Sequence, residues 1–219
     1  MIERRVLSKD EQGIRDGLQK LSEMVQTAID QACRALADLD TSLSEAIIAG
    51  DAAINAQQAD IEQQCLTTIA TQQPVATDLR VLVAALHISV ELERMADYAA
   101  SIGKTIIKMA NEKPIDDIGE VLQMADSCQN MLRQAIQAYM AYDSERAVNI
   151  AEQDGEIDNM QTRISNNIIQ QMCVNTTLVP FGSCLLWIVH NLERLGDRAT
   201  NICEQIVYIK SGKFMDLNR

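Results

Sequence analysis

Proline and glycine are scarce in this chain, three and nine among 219 residues, and so are aromatics, with one Trp, four Tyr and two Phe. So few breakers and so few β-favouring side chains leave little material for turns or sheets. The abundance of Ala, Leu, Ile, Gln and Glu favours helix, and an all-α fold is predicted. No apolar run approaches the ~18 residues that a membrane span requires, and the charged opening MIERRVLSKDEQ leads into no apolar signal segment, so a cytosolic protein is expected. Six cysteines are scattered without a CxxC pair, mostly at apolar-periodic positions, which predicts buried free thiols in a reducing compartment. Positive charge is also short, with 19 Lys and Arg against 31 Asp and Glu. The net charge of −12 repels nucleic acid and favours cations or basic partner surfaces.

Several catalytic signatures are missing as well. There is no phosphate-binding glycine loop, no G-x-S-x-G elbow and no HExxH, and the Glu-x-x-His pairs of di-iron bundles are absent. The two histidines, His87 and His190, do not occupy equivalent positions; His190, three residues before Glu193, is within reach of a metal there but reads rather as a satisfied helix histidine. The chain is expected not to be an enzyme.

What is present is a 3.6-residue apolar period along almost the whole length. Six long antiparallel helices are predicted: Asp10 to Ala37, from after Asp40 to Thr71, from near Val75 to Ala110, Asp117 to Ala141, one opening after Asp143, and one from after Pro180 to Gly212. Pro74 is placed at the first turn of the third helix. The segment NEKPIDDIGE, residues 111–120, is the one cluster of Pro, Gly and charge between long periodic segments. It divides the chain into two three-helix units, 1–112 and 116–219.

The units repeat each other. Shifted by 103 positions, Asp40-Thr41 meets Asp143-Ser144, Asp51 meets Asp154 and Ile54 meets Ile157. Shifted by 100, Leu86, Ile88, Leu92, Glu93, Arg94, Asp97, Ala99, Ile102 and Ile106 all find identical partners. The fold expected is therefore two tandem three-helix bundles from an internal duplication.

The repeat carries acids. LERMADYAAS at 92–101 and LERLGDRATN at 192–201 each place a Glu and an Asp four apart, about 40° around a helix and on one face. Like charges so placed cost about 0.2–0.5 kcal/mol unless something offsets them. The second helix of each unit adds Asp51 with Asn55, and Asp154 with Asp158. The candidate sets are thus Asp51, Asn55, Glu93 and Asp97 in the first unit, and Asp154, Asp158, Glu193 and Asp197 in the second. A hard cation would neutralise such a set; the alternatives are a solvated face, or packing with arginine stems over apolar surface, and the repetition with matched flanks weighs against the solvated face. Ala96 and Gly196 leave room for close approach.

The twin motifs resemble the LERIGDxAxNI stretches of the PhoU family, and TQQPVATDLR at 71–80 and the segment from Asp51 to Cys65 resemble its neighbouring segments. The likeness covers residues 12–212. It implies metal ligands at Asp51, Glu93, Asp97, Asp154, Asp158, Glu193 and Asp197, holding divalent or trivalent ions such as iron or zinc. It also implies a negative regulator of the phosphate-starvation response that couples the ATPase of a phosphate ABC transporter to a sensor histidine kinase. A homodimer is expected, with membrane association only through partners. Alternatives are an accessory protein of another phosphate permease, or a metal-dependent hydrolase or oxidase on a helical bundle. Asn55 and Ser101 depart from the family pattern, so the first site is expected to hold metal more weakly.

Overall fold

The computed structural model describes residues 2–218, with side chains from Leu7 onward. The described residues form helices and connectors, with no strand among them. In order they are α1 (Ile2–Asp38), α2 (Thr41–Gln72), α3 (Thr77–Met109), α4 (Gly119–Ala141), α5 (Ser144–Ala151), α6 (Asp154–Val174), a 3-10 turn (Thr176–Leu178) and α7 (Val179–Ser211). Helices α1 to α3 pack on one another, α4 to α6 pack around α7, and α1 touches α4 across the middle. The most extensive contact is between α3 and α7. These run antiparallel, since Arg80 bonds Ile209, Arg198 bonds Glu91 and Arg194 bonds Tyr98. One continuous apolar core links both lobes, running from Leu18 and Leu21 through Leu92 and Leu192 to Ile206.

The duplication extends to the turns. Leu39 and Tyr142, 103 positions apart, both adopt left-handed backbone at φ 51° and 52°. The next residue in each case sends its N–H back to the helix just ended, Asp40 to Ala35 and Asp143 to Ala138, both at 2.9 Å. That residue then caps the next helix: Asp40 Oδ1 accepts from Leu43 N at 2.9 Å, and Asp143 Oδ1 from Arg146 N at 3.0 Å. A non-glycine residue held left-handed costs roughly 1–2 kcal/mol, which the returned carbonyl bond and the carboxylate cap offset.

Four sequence expectations need correction. The first helix begins at Ile2 rather than Asp10, because a charged opening without Gly or Pro has nothing to stop it. Pro74 lies in the connector, behind a left-handed Gln73 cap, and α3 begins only at Thr77; α7 instead takes Pro180 into its first turn. The second helix of the second lobe is broken at Glu152 and Gln153, where Gln153 and Glu156 donate back only three residues, to Ile150 and Gln153. Gly155, a weak helix former, stands there in place of Ala52 of the first lobe. Finally, the six cysteines are free, but Cys173 is exposed, and Cys33 and Cys184 are only partly covered.

Leu92 and Leu192 are repeat partners on the two central helices, exposed 0% and 1%. Either one changed to alanine is expected to cost about 2–5 kcal/mol in urea unfolding. A loss below about 1 kcal/mol would mean that the seam can collapse around the cavity.

Candidate metal centre

The seven predicted acids fall into two groups, one per lobe, each between a second helix and its central helix. In the first lobe Asp51 on α2 faces Glu93 and Asp97 on α3; Asn55, one turn along, donates from Nδ2 to Asp51 Oδ2 at 3.2 Å. The Glu93 carboxyl is pushed up by burial and then by Asp97 and Asp51, and the Asp97 carboxyl by burial and then Asp51. In the second lobe all four acids share one neighbourhood. Burial raises Asp154 to about 7, helped by Asp158, Asp197 and Glu193. Asp158 is raised by burial and Asp197, and Glu193 by burial and then Asp197.

Gly196 explains how Asp154 comes so close. A Cβ there would lie 2.6 Å from Asp154 Oδ1 and 3.1 Å from Ile157 Cδ1. The break before α6 and the missing side chain at 196 act together, letting the carboxylate rest on the backbone of α7. The first lobe has Ala96 at that place and an unbroken α2.

The donor atoms are poorly answered from within the chain. Asp51 Oδ1, Asn55 Oδ1 and Glu193 Oε2 are buried without a hydrogen-bond partner, while the Thr200 hydroxyl lies close enough to Asp154 to oppose part of the rise in its pKa. His190, exposed and tilted against Trp187, brings Nδ1 to 3.4 Å from Glu193 Oε2 without forming a hydrogen bond, so it is not the satisfied helix histidine. Arg194 and Arg198 each stand 3.8 Å from Asp197 Oδ2. Buried carboxylate oxygens that lack partners, gathered with others that repel them, suit a hard cation by donor chemistry. Among the described residues no three His, Cys, Asp or Glu side chains stand converged as a ready-made cage. The fit is one of donor type and shared location, and mutual repulsion is the physical reason the carboxylates stand apart.

Sequence reasoning passed over Glu91, Tyr98 and Arg198, which lie on the same seam. Their signal was mismatch: Glu91 corresponds to Asn191 and Tyr98 to Arg198, in a stretch otherwise matched closely.

Fold and site together define a class of all-helical proteins in which a duplicated three-helix unit carries the same acidic set twice. The PhoU domain model matches the chain over residues 18–106 and again over 121–206. A relative from Clostridium acetobutylicum, named a phosphate-specific transport system accessory protein PhoU homolog, is 32% identical over 98% of this chain and 99% of its own length. One of the same name from Streptococcus pneumoniae is 34% identical over 90% of this chain and 92% of its own. The crystal structure of PhoU from Streptococcus pneumoniae, a phosphate transport system regulatory protein, superposes with a TM-score of 0.90 at 30% identity, over 96% of this chain and 99% of that one. That of PhoU from Pseudomonas aeruginosa gives 0.88 at 25% identity, over 94% and 99%. The chain belongs to the PhoU family.

Two predictions follow from the Asp154 neighbourhood. Gly196→Ala is expected to fold but to lose about 1–3 kcal/mol, because its methyl displaces the Asp154 carboxyl; Ala96→Gly in the first lobe relieves no such clash, and equal effects from the two changes would refute the close-approach account. The second concerns pH in metal-free buffer. A carboxyl raised to about 7 when folded keeps its proton while the unfolded chain releases it near the ordinary value of 3.8. Folded stability is therefore greatest below pH ~4 as far as this group is concerned, and is lost as pH rises towards about 7. Asp154→Asn is expected to raise the melting temperature more at pH 8 than at pH 5, and thermal melts at the two values check it.

Proposed function

We propose that this protein is a regulatory accessory protein of phosphate uptake that works by binding rather than by turnover. The observation that carries this reading is the match of both repeats, over nearly the whole chain, to relatives named for the phosphate transport system. In this reading the protein joins the cytoplasmic ATPase of a phosphate ABC transporter to a sensor histidine kinase and restrains the starvation response when phosphate is ample. Six free thiols suit a reducing cytoplasm. No helix among the described residues is long and apolar enough to cross a membrane; in this reading membrane contact runs through partners.

Metal ions, iron or zinc, are assigned to Asp51, Glu93 and Asp97 in one lobe and to Asp154, Asp158, Glu193 and Asp197 in the other. A cation bound there neutralises carboxylates that otherwise repel, and ties α2 to α3 and α6 to α7. Regulation then means that the protein binds one state of its partners more tightly than another. Self-association as a homodimer belongs to the same reading.

Elemental analysis after exchange into metal-free buffer tests the site. Wild type is expected to retain iron or zinc, and Glu193→Gln with Asp197→Asn to retain only the first-lobe share. No retained metal in wild type, even after iron or zinc is added, would remove the assignment. Deleting the gene tests the role: phosphate-uptake genes should be expressed at ample phosphate, and unchanged expression would refute it.

A further inference from the structure

Several of the positions at which the twin helices differ meet in space. Glu91 Oε2 accepts from Arg198 Nη1 at 3.1 Å and from Asn201 Nδ2 at 3.1 Å. The same guanidinium presents Nη2 to Asp197 Oδ2 at 3.8 Å. One cation is thus shared by two carboxylates, Glu91 from the first lobe and Asp197 from the second, and it sits closer to Glu91. The side chains of Arg198 and Glu91 are only 12% and 15% exposed, so water screens the pair little. The Arg198 Nε–H is buried and has no partner, leaving the guanidinium without a third anchor.

The first lobe has no such arrangement. There Tyr98 takes the place of Arg198, Ser101 that of Asn201, and Asn191 that of Glu91. Asn191 turns its amide onto its own helix, donating to the Trp187 carbonyl at 2.8 Å. The other guanidinium near Asp197, that of Arg194, is 40% exposed and is drawn towards the Tyr98 hydroxyl at 3.3 Å. Exposure to solvent makes it the weaker competitor for the carboxylate.

We propose that Glu91 is a positioning residue for the second acidic site: by holding Arg198 across the α3–α7 seam it keeps that guanidinium from neutralising Asp197, leaving the carboxylate free for a cation. The proposal rests on the reading of Asp154, Asp158, Glu193 and Asp197 as a cation site. Asp197 is answered either by Arg198 or by the bound ion, and the two positive charges repel each other if both approach. Whatever draws Arg198 towards Glu91 therefore strengthens cation binding in the other lobe. The seam between the lobes becomes a route of coupling, reciprocal by linkage: an ion at the second site also tightens the Glu91–Arg198 pair. The first site, with neither the arginine nor the opposing glutamate, is outside this control.

The test is zinc(II) titration calorimetry in a background carrying Glu93→Gln and Asp97→Asn, so that only the second site takes up metal, with a thermal melt recorded for every variant. Adding Glu91→Gln is expected to weaken zinc binding by about tenfold, within the usual range of intersite coupling. Adding Arg198→Gln to that variant is expected to restore the affinity to within about a factor of two. A role for Glu91 in folding alone would lower the melting temperature and would not be reversed by removing the arginine. Unchanged affinity with Glu91→Gln, or no recovery with Arg198→Gln, would overturn the proposal while leaving the metal site standing. If Glu91→Gln does not fold, Glu91→Asp decides: its shorter side chain loosens the hold on the guanidinium, several-fold weaker zinc binding is expected, and unchanged affinity refutes the idea. A background protein that binds no zinc at all would instead overturn the assignment of the acids themselves.

Discussion

The antiparallel packing of α3 against α7 is the constraint on which the rest of the molecule depends. Each helix buries an apolar stripe on two sides, one against its own lobe and one against the other, and Leu92, Met95, Leu192 and Leu195 are exposed 1% or less. A helix surrounded in this way has a single free strip left for polar groups. Glu93, Asp97, Glu193 and Asp197, the arginines beside them and Glu91 occupy what remains, so charge is concentrated where burial makes it most consequential.

That concentration gives the two lobes different characters despite their common plan. In the first, an alanine at 96 and an unbroken α2 leave Asp51 paired with Asn55, a mild arrangement with one amide among the acids. In the second, Gly196 and the break before α6 let Asp154 settle onto the α7 backbone among three other carboxylates. The same substitution that admits the acid also loads the site with repulsion, which two arginines answer in part. Stability has been given up locally there, and under the proposed assignment a bound cation would return it.

Glu91 and Arg198 show how a duplicated protein acquires communication between its halves. Duplication alone yields two equal and independent sites. Divergence at a few seam positions, Glu91, Tyr98, Arg198 and Asn201, supplies an unequal polar contact across the most extensive interface the lobes share.

Much of this was legible in the sequence. Helical periodicity, the aspartate caps at 40 and 143, the dividing segment near Pro114 and the twin Glu and Asp positions all depend on residues within a few turns of one another, and local spacing on a helix reveals them directly. The family was legible for the same reason, since its motifs are short and helical. What local spacing does not contain is which helix faces which. The fit of Asp154 against Gly196 and the pairing of Arg198 with Glu91 are contacts over about 40 and more than 100 positions in the chain. The sequence determined an all-helical duplicated chain carrying two acidic sets; the tertiary structure alone decided that these sets lie on either side of one buried seam, because only packing brings α3 and α7 side by side.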